Sequence, residues 1–220
     1  MFLGHYAVAL AAKRIAPRLQ LGTLILSAQL LDELWPVFLL LGWERVRIAA
    51  GYTAASPLEF VSYPISHSLL TAIIWALVLG GGYHVFRRHT RGAVVIACLV
   101  VSHWFLDFAM HRPDLPLWPG SRVLLGAGLW NSIVATMWIE SLLFVGAIII
   151  YVQTTRPRDS TGVWAFWSMI AVLAVIFVGS IAGPLPPSEQ AVAWTTLGLW
   201  LFVPWGYWID RHREARRIHS

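Results

Sequence analysis

The stretch His103-Trp104-Phe105-Leu106-Asp107-Phe108-Ala109-Met110-His111 carries three ionisable side chains at i, i+4 and i+8 inside an apolar run. On a helix each step of four residues turns only about 40°, so His103, Asp107 and His111 share one face. An imidazole and a carboxylate one turn apart converge closely enough to chelate one divalent cation. His111 lies about 12 Å from His103 along the axis, so it is left to serve a second ion, a substrate or a supporting role. The bland alternative for the pair is an interhelical hydrogen bond that holds a bundle together.

Such a helix has to be placed, and composition says where. Of 220 residues, 58% are hydrophobic and only 12% charged. A soluble domain carries about 25% charged residues, so soluble and disordered chains are excluded, and a single cysteine, Cys98, excludes a disulfide scaffold. Apolar runs cover Leu19 to Leu41, Ile65 to Phe86, Ala93 to Met110, Trp130 to Val152, Val163 to Ile181 and Ala191 to Ile209. Each is long enough for a hydrocarbon core of ~30 Å at ~1.5 Å per residue. A shorter run, Met1 to Ala12, precedes them and ends in Lys13, Arg14 and Arg18. The positive charges follow this run instead of leading it, which is not the order of a signal peptide. The expectation is an all-α, polytopic transmembrane bundle of about seven spans, the first one short.

The net charge is +5, yet the basic residues sit in short clusters between apolar runs. Lys13, Arg14, Arg18, Arg87, Arg88, Arg91, Arg156, Arg158, Arg211, Arg213, Arg216 and Arg217 fall on one side, against Arg45, Arg47, Arg112 and Arg122 on the other. The positive-inside bias accounts for this pattern, so no nucleic-acid partner is expected. It puts the N-terminus outside and the C-terminal tail in the cytoplasm. The chain reads as one membrane domain over residues 1–220, without internal repeats. Residues 1–151 form a five-helix core, and 160–220 a C-terminal helical hairpin with a basic tail. The last two spans carry no ionisable residue, so the chemistry belongs to residues 1–151.

Ionisable groups within spans are expensive and usually face a cavity. Counted from the cytoplasmic side, Asp32 and Asp107 both lie roughly 20 Å up. His67 opens a descending helix, with Pro64 at a tolerated first position and Ser62 as a possible cap, and His5 is near the same face. Four helices therefore deliver His or Asp to one level. Glu33 points about 100° away from Asp32 and is read as its neighbour or a proton carrier. Pro36 bends the same helix and frees backbone carbonyls beside the site. The connection His111-Arg112-Pro113-Asp114-Leu115-Pro116-Leu117-Trp118-Pro119-Gly120 is expected to be a rigid, lid-like loop. In it Arg112 could bind an anionic group or pair with Asp114. Asn131 suits the cavity by depth. Glu140, nearer mid-membrane, is expected to partner another helix or relay a proton. His84, His89, His212 and His219 read as surface residues.

The short N-terminal segment with His5, the Leu-rich span with Asp32 four residues before Pro36, Ser66-His67-Ser68 and the HxxxD of His103 and Asp107 together resemble a known family. It is the bacterial inner-membrane metal-dependent hydrolase-like family (the YdjM-like group), itself distantly similar to zinc-dependent phospholipases C. The similarity covers about residues 1–115. It implies metal ligation by His5, Asp32, His67, His103 and Asp107. Two departures stand out. The family's Asp-x-Asp appears as Asp32-Glu33-Leu34, and its His-Arg-Gly stretch as Ser62-Tyr63-Pro64-Ile65, without the His. One fewer ligand implies one metal in place of two or three, or none.

The function expected from these readings is a membrane-embedded hydrolase of a bacterial inner membrane, working at the extracytoplasmic face. A divalent metal, zinc foremost, would activate water. Glu33 is the nearest candidate general base and His111 a candidate general acid. Arg112, Asp114 and Asn131 are candidate substrate contacts, and the substrate would be a lipid or lipid-linked phosphate or ester, or another small molecule. A small proton or metal-ion transporter, with Glu140 extending the polar cluster inward, is the alternative. A non-catalytic scaffold is the third class.

Overall fold

A computed structural model describes residues 1–216; Arg217 and His219 lie outside the described residues. The chain is mainly helical: α1 (Leu3–Ile15), α2 (Leu21–Leu40), α3 (Pro64–His67), α4 (Leu69–Arg87), α5 (Thr90–Met110), α6 (Ile133–Thr154), α7 (Ser160–Ala182), α8 (Glu189–Leu197) and α9 (Phe202–Arg211). Three two-stranded antiparallel ladders join them: β1 (Arg45–Ile48) with β2 (Leu58–Ser62), β3 (Leu115–Pro116) with β4 (Leu124–Leu125), and β5 (Thr155–Pro157) with β6 (Arg213–Ala215). The ladders qualify the all-α expectation. They lie in the connections between helices, where backbone groups outside a helix need partners.

Local signals set the helix starts. Ser68, Ser132, Asp159 and Ser188 each accept a hydrogen bond from a backbone N–H three residues on, and so cap α4, α6, α7 and α8. Ser62 is not a cap. It pairs with Arg45 at the end of the β1–β2 hairpin. The expected third span is broken at Ser68, whose extended backbone separates the single turn of α3 from α4.

Five helices among the described residues are long and apolar enough to cross a membrane: α2, α4, α5, α6 and α7. The other two expected spans have a different form. The run from Ala191 to Ile209 divides into α8, a 3-10 turn over Gly198–Leu201, and α9. Gly198 opens that turn, and Pro204, which cannot donate an N–H, sits in the first turn of α9. The first helix, α1, has only 13 residues, about 20 Å of length. Most of its residues from Leu3 to Lys13 are buried, so it is enclosed by the bundle and packs on α2, α5, α6 and α7.

Two apolar clusters hold the bundle. The larger gathers Tyr6, Leu10, Leu24, Ile25, Phe144, Phe166 and Phe202 from α1, α2, α6, α7 and α9. The smaller joins α2, α4 and α5 to the β1–β2 hairpin through Leu31, Trp35, Val46, Ala72, Ala76 and Trp104. Helices α4 and α5 approach closely because position 80 is glycine. A Cβ there would sit 2.8 Å from the Ala93 carbonyl oxygen.

The end of the bundle opposite the hairpin is closed by charge. Buried Lys13 donates to the Leu19 carbonyl at 2.7 Å and to Asp210 Oδ2 at 2.5 Å. That carboxylate also accepts from the Leu21 N–H at the start of α2, at 2.6 Å. Arg91 reaches the Ile15 carbonyl nearby, and Arg213 lies over the rings of Tyr151 and Phe166. Several connections assigned to one side by their basic residues therefore meet at one end of the molecule.

Candidate metal centre

Helix α5 presents His103 and Asp107 on one face, as their spacing requires, and both are buried. Asp32 comes from α2, His67 from the end of α3, and His5 from the first turn of α1. These five side chains meet in one cluster. His5, His103 and Asp107 form one triad able to hold a cation, and Asp32, His67 and His103 a second that shares His103.

Hydrogen-bond accounting identifies the free lone pairs. His103 Nδ1 lies 2.7 Å from the Ala28 carbonyl oxygen, an acceptor, so Nδ1 carries the hydrogen. A neutral His103 ring then turns its Nε2 lone pair toward Asp107 Oδ2 at 3.2 Å and Asp32 Oδ1 at 3.7 Å. This buried nitrogen makes no hydrogen bond.

His67 is arranged the same way. Ser66 Oγ donates to Glu44 Oε2 at 2.6 Å and therefore accepts from His67 Nδ1 at 2.7 Å. Its Nε2 faces Asp32 Oδ1 at 3.4 Å and Asp107 Oδ2 at 3.6 Å. The Nε2 lone pairs of both imidazoles thus face oxygens of both carboxylates, an arrangement that repels itself unless a cation or proton lies between them. The four nitrogen-to-oxygen separations, 3.2 to 3.7 Å, are near the edge of about 3.3 Å expected for a tetrahedron with bonds of ~2.0–2.1 Å. The donor set fits a divalent ion.

His5 stands behind this group. Its Nε2 is 3.0 Å from Asp107 Oδ1, and its ring stacks on His103 with centroids 3.6 Å apart and planes within 5°. The terminal ammonium of Met1 pairs with the same Asp107 Oδ1. Glu140 Oε2 accepts from the backbone N–H groups of Phe2, Leu3 and Gly4 at 2.9, 2.6 and 3.3 Å. Glu140 is therefore the cap of α1, supplied by α6, with its charge at the positive end of the helix dipole. The expected partnership with another helix holds, and its partner is the helix end that carries His5.

Glu44 escaped sequence reading. It follows the turn after α2 and is almost wholly buried. Its Oε1 accepts the N–H groups of Ile65 and Ser66, both at 2.8 Å, while Oε2 takes the Ser66 hydroxyl. No periodicity links position 44 to position 66. Only the fold back through the β1–β2 hairpin makes them neighbours.

Several expected site residues lie elsewhere. A cavity of about 890 Å³ reaches the cluster and is lined there by Asp32, His67, Asp107 and His111. Glu33 does not line it. Being next to Asp32 on a helix, it points another way, and its buried carboxylate has no hydrogen-bond partner in the structure. That placement removes it as the base for chemistry in this cavity. Arg112 also lies off the cavity lining. Its guanidinium donates to the Tyr52 carbonyl at 2.8 Å and lies over the Tyr52 ring. Asn131 belongs to a short 3-10 turn and does not line the cavity either.

Asp114 has a defined role next to His111. Its Oδ1 accepts from Tyr63 Oη at 2.6 Å and from His111 Nδ1 at 3.0 Å. His111 is held further by the rings of Trp130 and Phe60, with centroids 4.3 and 4.8 Å away. Burial and the Asp114 carboxylate push the Tyr63 phenol well above its ordinary range, so it stays a donor. The loop after α5 is pinned, as its prolines suggest. Gly128 N–H reaches the His111 carbonyl at 2.7 Å. Gly126 passes so close to the Arg112 and His111 carbonyls that a side chain has no room.

No protein-family model, curated protein or solved structure matches this chain, so the reading of the site stands on its own geometry.

Proposed function

We propose that the protein is a membrane-embedded, metal-dependent hydrolase. One observation carries this reading: the Nε2 atoms of His67 and His103 each face oxygens of both Asp32 and Asp107 at 3.2 to 3.7 Å, where Asp32, His67 and Asp107 line one end of a large cavity. Zinc is the proposed ion, because imidazole nitrogens and carboxylate oxygens 3.2 to 3.7 Å apart suit it. When bound, it would supply Lewis-acid polarisation and the activation of water.

The remaining work falls to the chain. His103 and His67 are fixed in orientation by the Ala28 carbonyl and by the Glu44–Ser66 pair. His5 and the Met1 ammonium hold Asp107 from behind. His111, with Nδ1 directed at Asp114, borders the cavity and is the proposed proton donor to a leaving group. The substrate class is a lipid or lipid-linked phosphate or ester. The resemblance to the YdjM-like group, a bacterial inner-membrane setting, an outer position of the N-terminus and seven crossings belong to this proposal as well. In that arrangement α1 and the α8–α9 pair complete the count.

Transport is the weaker reading. Between the cluster and the Lys13–Asp210 end, the bundle is filled by buried Leu10, Leu24, Ile25 and Ala28. Glu140, the residue that would extend a polar path, is engaged by the first turn of α1.

Metal analysis of purified wild type beside His103→Ala and Asp107→Ala tests the proposal. Near-stoichiometric metal in wild type and at least about tenfold less in each variant are expected. Equal, near-zero metal in all three overturns it.

A further inference from the structure

The polar floor occupies only one end of the 890 Å³ cavity, a volume near the top of the ~300–1,000 Å³ range of small-ligand sites. The far end runs between α7 and α8. These helices lean on different partners, α7 on α9 and α8 on α2, and a proline-rich connection, Pro184 to Pro187, joins them. Each turns one face to the space between. On α7 that face is Ile176, Phe177, Ser180 and Ile181; on α8 it includes Val192, Thr195 and Thr196. Successive steps of one and three residues keep each set on a single side of its helix.

The hydroxyls on these faces make no demand on a ligand. Ser180 Oγ donates to the Phe177 carbonyl at 2.8 Å, Thr195 Oγ1 to Ala191 at 2.7 Å and Thr196 Oγ1 to Val192 at 2.8 Å. With those donors satisfied by their own helices, the walls offer alkyl surface. The cleft is open laterally, since Ser180 and Thr195 line it and remain exposed, as do Ile176 and Leu185 at its edge. Because α7 is long and apolar enough to cross a membrane, an opening along its side would face the hydrocarbon of a bilayer.

We propose that the α7–α8 cleft is a lateral port for the alkyl chain of a bilayer amphiphile, placing its polar end at the His/Asp cluster. The assignment of the polar end as the reacting end rests on the hydrolase reading; the seating of the chain does not. Continuity of one cavity from the ionisable side chains at its polar end to an apolar cleft argues for a single amphiphilic occupant over separate polar and apolar ligands.

The test uses the full chain in phosphatidylcholine nanodiscs and a hexadecyl phosphate carrying a photoreactive diazirine at the end of its chain. Labelled positions are mapped by peptide mass spectrometry, and metal is measured on the same samples. Labelling is expected to concentrate in residues 176–199. Unlabelled hexadecyl phosphate should compete for it, and butyl phosphate should not. A Trp at position 195 fills the cleft, so Thr195→Trp is expected to cut this labelling at least about fivefold, the equivalent of a modest steric penalty. Val175→Trp places the same bulk on a highly exposed α7 position outside the cavity lining and is expected to change nothing. Labelling spread evenly over the lipid-facing helices, or indifferent to Thr195→Trp, overturns the port. Competed labelling in a metal-free wild type supports the port while refuting the hydrolase reading. Bound metal without competed labelling refutes the port alone.

Discussion

Leu3 donates its backbone N–H to Glu140 Oε2 at 2.6 Å, tying the first turn of α1 to the middle of the bundle across 137 residues of chain. The same oxygen serves Phe2 and Gly4. The donors that the start of a helix leaves unpaired are thus satisfied by a carboxylate from α6. His5 is one residue beyond, so the cap also sets the position of an imidazole in the metal centre.

Glu140→Ala is therefore expected to destabilise the protein by about 3 kcal/mol, because three enclosed N–H groups lose a charged acceptor. Glu140→Gln keeps an acceptor and is expected to cost about 1 kcal/mol. Unfolding of the purified protein in mixed micelles by increasing SDS measures both. A Glu140→Ala variant as stable as wild type would contradict the capping role.

Ser66→Ala removes the link between Glu44 and His67 without touching a proposed ligand. The expected result is a metal affinity lowered ~10–100-fold with the fold retained. Glu44→Gln is expected to act in the same direction, since its amide offers one acceptor oxygen to three donors. Competitive chelator titration reads the affinity, and circular dichroism checks the fold. Unchanged affinity in both variants would show that His67 needs no such support.

Lys13→Met leaves the Asp210 carboxylate buried without its cation. A loss of about 3–5 kcal/mol is expected, and Lys13→Met with Asp210→Asn is expected to cost less than the sum of the two single changes. The same SDS titration supplies the double-mutant cycle. Additive losses would mean that the 2.5 Å contact contributes no coupling.

Asp159 lies at the exposed start of α7. The hydrogen bond from His212, followed by the Gly162 N–H, holds its carboxyl below the ordinary value of 3.8. A depressed carboxyl contributes stability that is fully present above about pH 4 and is lost as the pH falls through its lower, folded-state value. Wild type should therefore exceed Asp159→Ala in Tm at pH 6, and the difference should shrink between pH 4 and pH 2.5. A difference independent of pH would assign the effect to something other than the ionised carboxylate.

Much of the site was legible in the residue order. The i, i+4 spacing puts His103 and Asp107 on one face whatever surrounds them, and equal distances from charged span ends put Asp32 level with Asp107. The apolar runs located α2, α4, α5, α6 and α7 for the same reason: a hydrocarbon core demands length and composition, both of which are local. Other features depend on chain folding. Ser68, and not Ser62, starts α4, because Ser62 is taken up by the hairpin pairing with Arg45. Ala191 to Ile209, uniform in hydropathy, divides at Gly198 into shorter helices that pack on α2 and α7.

What the sequence determined by itself was the membrane character, the end of the bundle where basic residues gather, and the candidate ligands, since all three follow from composition and spacing along one helix at a time. The tertiary structure decided which atoms those ligands offer. Glu44 reaches Ser66 only because the β1–β2 hairpin folds back, Glu140 reaches α1 only because α6 packs on it, and Glu33 leaves the cavity because Asp32 faces it. Hydrogen bonds between distant segments fix tautomers and orientations, and no local pattern encodes a partner that is 22 or 137 residues away.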